Sequence, residues 1–337
     1  MNPENILISR TDKAGDLLLT LPLFRELKKA FPDARLTAHV RRYTAPILKM
    51  VKQVDNILLD DDHTPGLISP SLHRAFIKER FDLAIMVHPA GRAMIAAWRA
   101  GIAHRVGRAS NIFQFFLNDR RIQKRSRNEK HEYQYNLDLL TGIVPNIDRS
   151  PWNFSRECLD QAKGAAYLAG AGLQNCRPIV VHPGHGGSAH NIGVEQYARI
   201  VESLLNKNIP TAVSLGPGEE GLLGYFPPPV PGLFGFIASI PDLAELAAVF
   251  ANCSAFCGGS TGPLHLAAAL QLPCAAFFPP VAAMTPARWG PVGCNSMIIR
   301  PELPECNGKC ERCEENGCMS RLNTAPAVAW LTGEHRI

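Results

Sequence analysis

Nothing in these 337 residues forms an uninterrupted apolar run long enough to cross a bilayer as one helix. The stretch Leu264 to Met284 comes nearest, but His265, Gln271, Pro273, Pro279 and Pro280 break it, and a span needs about 20 predominantly apolar residues. No signal peptide is evident, because charged and polar residues interrupt the first ten positions and no small-residue cleavage site follows. A large charge excess is also missing. Lys and Arg total 35 against 30 Asp and Glu, giving a net charge of +5, which excludes a polycationic nucleic-acid binder. The first strand-like segment, Asn5 to Ser9, ends in Arg10-Thr11-Asp12-Lys13. An NAD-dependent oxidoreductase would carry a Gly-rich fingerprint there. No internal repeat is visible. These absences predict a cytoplasmic protein whose ten cysteines are reduced unless metal-bound.

The chain is long enough for two domains of about 150 residues each. Strand patterns recur at Leu36–Val40, Asn56–Leu59, Asp82–Val87, Ile179–His182, Thr211–Leu215, Ala255–Cys257 and Cys274–Phe278. Helical patterns separate them at Leu17–Phe31, Tyr43–Val51, Leu72–Arg80, Met94–Ala100, Val194–Asn206 and Pro241–Ala251. Such alternation predicts an α/β protein with mostly parallel sheets. Each half opens with a buried strand that delivers a polar loop to a helix, the logic of two doubly wound units facing one another across a cleft. Residues 101–135 read as basic and irregular. The expected division is 1–160 and 161–337, with the linker in the region of Gly142 to Arg177.

The strongest local motif is Gly258-Gly259-Ser260-Thr261-Gly262-Pro263-Leu264-His265. A strand runs into glycines and hydroxyls, and Pro263 then opens an Ala/Leu-rich helix. Free amides at such a helix start, with its dipole, seat a phosphate; the alternative is an ordinary strand-to-helix turn. Gly184, Gly186 and Gly187 follow the strand at His182 with the spacing of an incomplete phosphate loop. Glu219, after another strand end, can bind ribose hydroxyls or cap a helix. Gly15-Asp16 lies where the first strand hands over to a helix, so Asp16 is either a cap or a base. Arg10 and Lys13 beside it, with Arg42 and Arg92 in the basic first half, are candidates to hold an anionic acceptor or to meet an anionic membrane surface. Cys306, Cys310, Cys313 and Cys318 form C-x3-C-x2-C-x4-C, a set able to hold structural zinc or an iron–sulfur centre, or to remain four free thiols.

Taken together, R-x4-G-D-x3-T-x-P near the start, H-P-G with V-E-x-Y-A-x-I, G-P-G-E-E, D-L-A-E-L-A-x-V, S-T-G-P-L-H-L-A-A-A-L and R-W-G-P resemble the family 9 glycosyltransferases, the lipopolysaccharide heptosyltransferases. The resemblance runs from about Asn5 to Cys318. It implies the GT-B architecture, two Rossmann-like domains with the acceptor on the first and the sugar nucleotide on the second. It also implies an inverting transfer of heptose from ADP-heptose to the lipopolysaccharide inner core or a related glycan, needing no cofactor, with Asp16 as general base. Donor contacts carry over to Thr261, Gly262 and His265, and to Glu219. The implied acceptor is an anionic glycolipid, and with it comes transient contact with the inner face of the cytoplasmic membrane.

Two positions depart from that pattern. Ser260 stands where many members have Asp, and His190-Asn191-Ile192 stands where many have Lys or Arg two residues before a Trp. The second change removes a cation expected to neutralise the leaving diphosphate; a protonated His190 would partly replace it. These departures keep open a second class, a sugar-nucleotide or glycan-binding protein without turnover.

Overall fold

The computed structural model describes residues 2–60, 66–184, 186, 190–309 and 317–333. They form two compact units, Met1–Trp152 and Asn153–Ile337.

In the first unit, strands β1 (Asn5–Arg10), β2 (Arg35–Val40), β3 (Asn56–Leu59), β4 (Leu83–Met86), β5 (His104–Arg108) and β6 (Asp119–Arg121) pair in the order β3-β2-β1-β4-β5-β6. Every pairing is parallel. The second unit repeats the plan with β7 (Ile179–His182), β8 (Thr211–Ser214), β9 (Phe234–Ile237), β10 (Ala255–Gly259), β11 (Cys274–Phe277) and β12 (Ser296–Ile299), ordered β12-β11-β10-β7-β8-β9 and again wholly parallel. Strand order therefore reverses between β1 and β4 and between β7 and β10. In open α/β sheets, ligands settle at the carboxyl ends of the strands flanking such a reversal.

The central strands are apolar because helices cover both faces of a parallel sheet: Ile6 to Ile8 and Ile179 to Val181 are all buried. The helices are α1 (Ala14–Leu18), α2 (Leu21–Ala30), α3 (Pro70–Glu79), α4 (Gly91–Arg99) and α5 (Glu132–Leu137) in the first unit, then α6 (Gln161–Gly170), α7 (Val194–Leu205), α8 (Leu243–Ala251), α9 (Gly262–Ala269), α10 (Pro286–Trp289) and α11 (Ala325–Thr332). In α2, Leu23, Phe24 and Leu27 turn inward at helical spacing.

Several elements differ from the sequence expectation. The predicted helix Leu17–Phe31 is two helices, because Pro22 occupies the first turn of α2, where its missing amide is harmless, and the chain restarts there. The segment Tyr43–Val51 is a 3-10 helix over Ala45–Met50. The region read as irregular contains β5 and β6. Neither β9 nor β12 was anticipated. All four are short; β6 and β12 lie at sheet edges and are only partly buried, so little burial is available to impose an apolar pattern on them, whereas β9 is an edge strand that is mostly buried. Among the described residues no helix is long and apolar enough to cross a membrane.

Candidate active site

At the carboxyl edge of the first sheet, β1 delivers Arg10, Thr11, Asp12 and, through the first turn of α1, Asp16. Arg10 is 3% exposed and donates its Nε to Asp12 Oδ1 at 2.8 Å and its Nη2 to Asp16 Oδ1. Nη1 reaches Asn136 Oδ1 at 3.5 Å, and Glu132 Oε1 stands 3.9 Å from Nη2. Arg125 in turn pairs with Glu132. From β4, His88 Nδ1 comes within 3.1 Å of Asp12 Oδ2, an ion pair when the imidazole is protonated. β1 and β4 are the strands that flank the reversal.

Burial pushes the Asp16 carboxyl above its usual range; Arg10 opposes this, while Asp12 and Glu132 push it further up. Burial works the same way on Asp12, but Arg10 and His88 outweigh it and hold that carboxyl below its usual range. Two neighbouring carboxylates are thus separated in proton affinity, a pattern typical of acid–base sites. Asp16 makes no helix cap: the capping position of α1 is Lys13, whose side chain forms no capping bond. Instead the Asp16 carboxylate accepts from Arg10, and its backbone carbonyl accepts from Thr20 Oγ1 at 2.8 Å.

Arg10, expected beside an acceptor, is buried and turned to the chain's own carboxylates. Lys13 and Arg42 are exposed at the same edge, after β1 and β2. Arg92 lies in the first turn of α4 and donates to Gly66 O at 3.4 Å.

In the second unit, the ends of β7, β8 and β10 converge. His182 is buried and its Nδ1 pairs with Ser214 Oγ at 2.9 Å; burial lowers its pKa, with Glu219 pulling the other way. Glu219 Oε2 accepts the Gly216 amide at 2.7 Å. The same carboxylate lies over Gly184, where a Cβ would stand 1.9 Å from Oε2, so any larger residue would push the carboxylate from its place. Beside this, Asn191 lies over Gly259 at the end of β10, where a Cβ would meet Asn191 Cγ at 2.6 Å. Its Oδ1 accepts from Tyr197 OH and from the Ile192 amide, both at 2.9 Å. Its Nδ2 is buried and has no hydrogen-bond partner among the described residues.

The loop Gly259–Thr261 then enters α9 at Gly262. Thr261 is the capping residue, yet its side chain caps nothing and donates weakly to Gly259 O at 3.4 Å. His265, one turn in, is buried. Ser260 is half-buried in this loop. Gly186 and His190 are exposed, and His190 Nε2 lies beside the backbone of Gly308, at the start of the cysteine loop.

Of the four clustered cysteines, Cys310 and Cys313 lie outside the described residues. Cys306 and Cys318 are partly buried. Cys306 is tied to the turn after β11, its amide donating to Pro280 O at 2.6 Å. Among the described residues no three His, Cys, Asp or Glu groups come together as a metal site. Three other thiols are buried: burial pushes Cys253 and Cys257 up to about 12, and the Cys294 thiol together with burial raises Cys274 well above its usual value, so all three are poor ligands.

Sequence reasoning missed Glu132, Asn136, Arg125 and His88, which reach the first site from distant parts of the chain. Asn191 stood in a quoted segment, but only the fold places its amide over Gly259.

Two doubly wound six-stranded sheets, each with polar groups at its reversal point, define the GT-B class of glycosyltransferases. The sequence profile of glycosyltransferase family 9 (heptosyltransferase) matches residues 70–319. The chain belongs to that family and is a glycosyltransferase. It is 30% identical over 298 residues to a Haemophilus influenzae protein that carries a provisional name as a glycosyltransferase, with 86% of each chain covered. It is 23% identical over 318 residues to lipooligosaccharide heptosyltransferase 2 of the same organism, with 88% of each covered. Among solved structures, the ADP-heptose lipopolysaccharide heptosyltransferase II of Escherichia coli superimposes with a TM-score of 0.79 at 18% identity, over 98% of this chain and 99% of that one.

Proposed function

We propose that the protein transfers a heptose from ADP-heptose to an anionic glycolipid, the lipopolysaccharide inner core or a related glycan, in the cytoplasm and with inversion at the anomeric carbon. The observation that carries this reading is the state of Asp16. Its carboxyl is raised by burial, oriented by Arg10 and free of any capping duty, at the carboxyl end of the first strand. In the proposed step, Asp16 takes the proton of an acceptor hydroxyl as that oxygen bonds to the anomeric carbon. The bond from that carbon to the diphosphate breaks, and ADP leaves with the electron pair. No metal or cofactor enters the step. The acceptor is assigned to the first unit, with Lys13, Arg42 and Arg92 as its cations.

The donor is assigned to the second unit. The amides at the start of α9 suit the diphosphate, with Thr261, Gly262 and His265 beside them, Ser260 and Gly186 at the rim, and Glu219 on the ribose. His190 is the candidate to neutralise charge on the leaving group. Asn191 Nδ2 is a further donor for a phosphate oxygen, since a buried amide without a partner is costly unless a ligand takes it. Cys306, Cys310, Cys313 and Cys318 are proposed to hold one structural metal; four thiolates suit zinc or iron.

The reading is tested by incubating purified protein with ADP-, UDP- and GDP-sugars and a lipopolysaccharide acceptor truncated before its heptoses. Transfer from ADP-heptose that is lost in Asp16→Asn supports it. Tight nucleotide-sugar binding without transfer to any acceptor would favour a binding protein instead.

A further inference from the structure

The first unit carries apolar side chains that its core does not use. The 3-10 helix Ile112–Phe116 follows β5. Side chains three apart eclipse in a 3-10 helix, so Ile112 and Phe115 project from one face, and they are 67% and 64% exposed. Phe113 and Phe116 turn to the core instead. Phe116 packs against Trp98 with ring centroids 5.3 Å apart, and Trp98 is itself 52% exposed. Ile122, just past β6, is 83% exposed.

These apolar tips are accompanied by cations. The Arg120 guanidinium lies 5.2 Å from the centroid of the Phe115 ring, and Lys124 is exposed two residues beyond Ile122. Between Arg99 and Lys130 the sequence holds nine Lys and Arg against two Asp and Glu. A lipid interface takes this combination: aliphatic and aromatic tips enter the headgroup boundary while cations meet lipid phosphates. A protein partner would favour a contiguous packed apolar centre, rather than separate tips interleaved with positive charge.

We propose that Trp98, Ile112, Phe115 and Ile122, with Arg120 and Lys124, form a docking surface for an anionic bilayer. The helix that bears two of them is tied to the reaction edge, since Asn111 Nδ2 donates at 3.0 Å to the carbonyl of Pro89, the residue after His88. A glycolipid anchored in that bilayer would be offered at the edge that holds Asp16, a placement that rests on the acceptor assignment above. The docking itself does not rest on it.

Sedimentation with phosphatidylcholine vesicles, with and without phosphatidylglycerol, tests the proposal. The wild-type protein should bind the anionic vesicles and fail to bind the neutral ones, with binding weakened by salt. Ile112→Ser combined with Phe115→Ser, and separately Arg120→Gln combined with Lys124→Gln, should each lower the partition coefficient about tenfold. Both variants should keep wild-type turnover on a delipidated, soluble acceptor, which shows that they fold. Equal wild-type binding to both vesicle types, or variants that bind as well as wild type, would overturn the proposal. So would patch variants that abolish self-association, seen by sedimentation equilibrium, while leaving vesicle binding intact. Failure of the transferase reading would appear as absent turnover in every protein and would leave the vesicle result standing.

Discussion

Arg10 donates to Asp16 from a position almost closed to solvent, so the charge balance of this pair is set within the protein. Replacing Arg10 with Gln removes the influence that lowers the Asp16 carboxyl and leaves burial, Asp12 and Glu132 to raise it. A general base works only when ionised, so the acid limb of the kcat/KM profile should move to higher pH. Arg10→Lys should restore part of the shift, and Asp16→Asn should lower kcat about a hundredfold or more with donor affinity kept. An acid limb at the same pH in Arg10→Gln and wild type would separate Arg10 from the chemistry.

Gly184→Ala puts a methyl group where the Glu219 carboxylate now lies. The carboxylate is the end of a flexible side chain, so the fold should survive with a loss of about 1 kcal/mol, near the typical cost of a single substitution. If Glu219 holds the donor ribose, titration calorimetry should find ADP affinity reduced about tenfold in Gly184→Ala and in Glu219→Gln alike. Unchanged affinity in both would move the ribose elsewhere.

Asn191 separates structure from binding through its two side-chain atoms. Asn191→Asp keeps an oxygen for Tyr197 and Ile192 but replaces the unpartnered Nδ2 with a second oxygen. Facing a diphosphate, that change should cost tenfold or more in ADP affinity while circular dichroism stays native. ADP bound as tightly as by wild type would mean that Nδ2 does not meet phosphate.

His39 gives stability a pH dependence unconnected with catalysis. It is buried, its Nδ1 pairs with Ser9 Oγ at 3.0 Å, and burial lowers its pKa to about 3. The unfolded imidazole takes a proton near pH 6.5, so below that value the unfolded chain binds more protons. Stability from this group is complete above about pH 6.5 and falls as pH drops toward the folded value. By pH 5 the loss should be about 2 kcal/mol. Urea melts of wild type and His39→Asn across this range should show a shallower acid decline in the variant; parallel curves would refute it.

The cysteine cluster is decided by elemental analysis. Anaerobically purified protein should hold one equivalent of zinc or iron if Cys306, Cys310, Cys313 and Cys318 act together, and Cys306→Ser with Cys318→Ser should release it. Absence of both metals would leave four free thiols.

The buried strands were legible because parallel pairing under two helical layers demands apolar runs: Ile179–His182, buried throughout, was read with the boundaries the fold gives it, as was the partly buried edge strand Asn56–Leu59. The strand β5, His104-Arg105-Val106-Gly107-Arg108, was not, because only Val106 and Gly107 are buried and its charged residues read as loop. The glycine-and-hydroxyl loop before α9 was visible because tight turns and phosphate approach restrict composition locally. The ring of charge around Arg10 was not. Glu132 and Asn136 lie more than a hundred residues along the chain, and no local pattern signals that a surface-looking carboxylate will be buried against an arginine.

The order of strands in the two sheets also sets a timetable for synthesis. In each sheet the first strand made is a central one, β1 or β7, and its second neighbour, β4 or β10, comes roughly 75 residues later. Until that neighbour leaves the ribosome, one edge of a strand with an apolar centre stays unpaired, the condition under which nascent chains stick to one another. All six strands of the first sheet, however, precede Ile179. The first unit can close its sheet before the second exposes its own open edge, so the two periods of exposure fall one after the other.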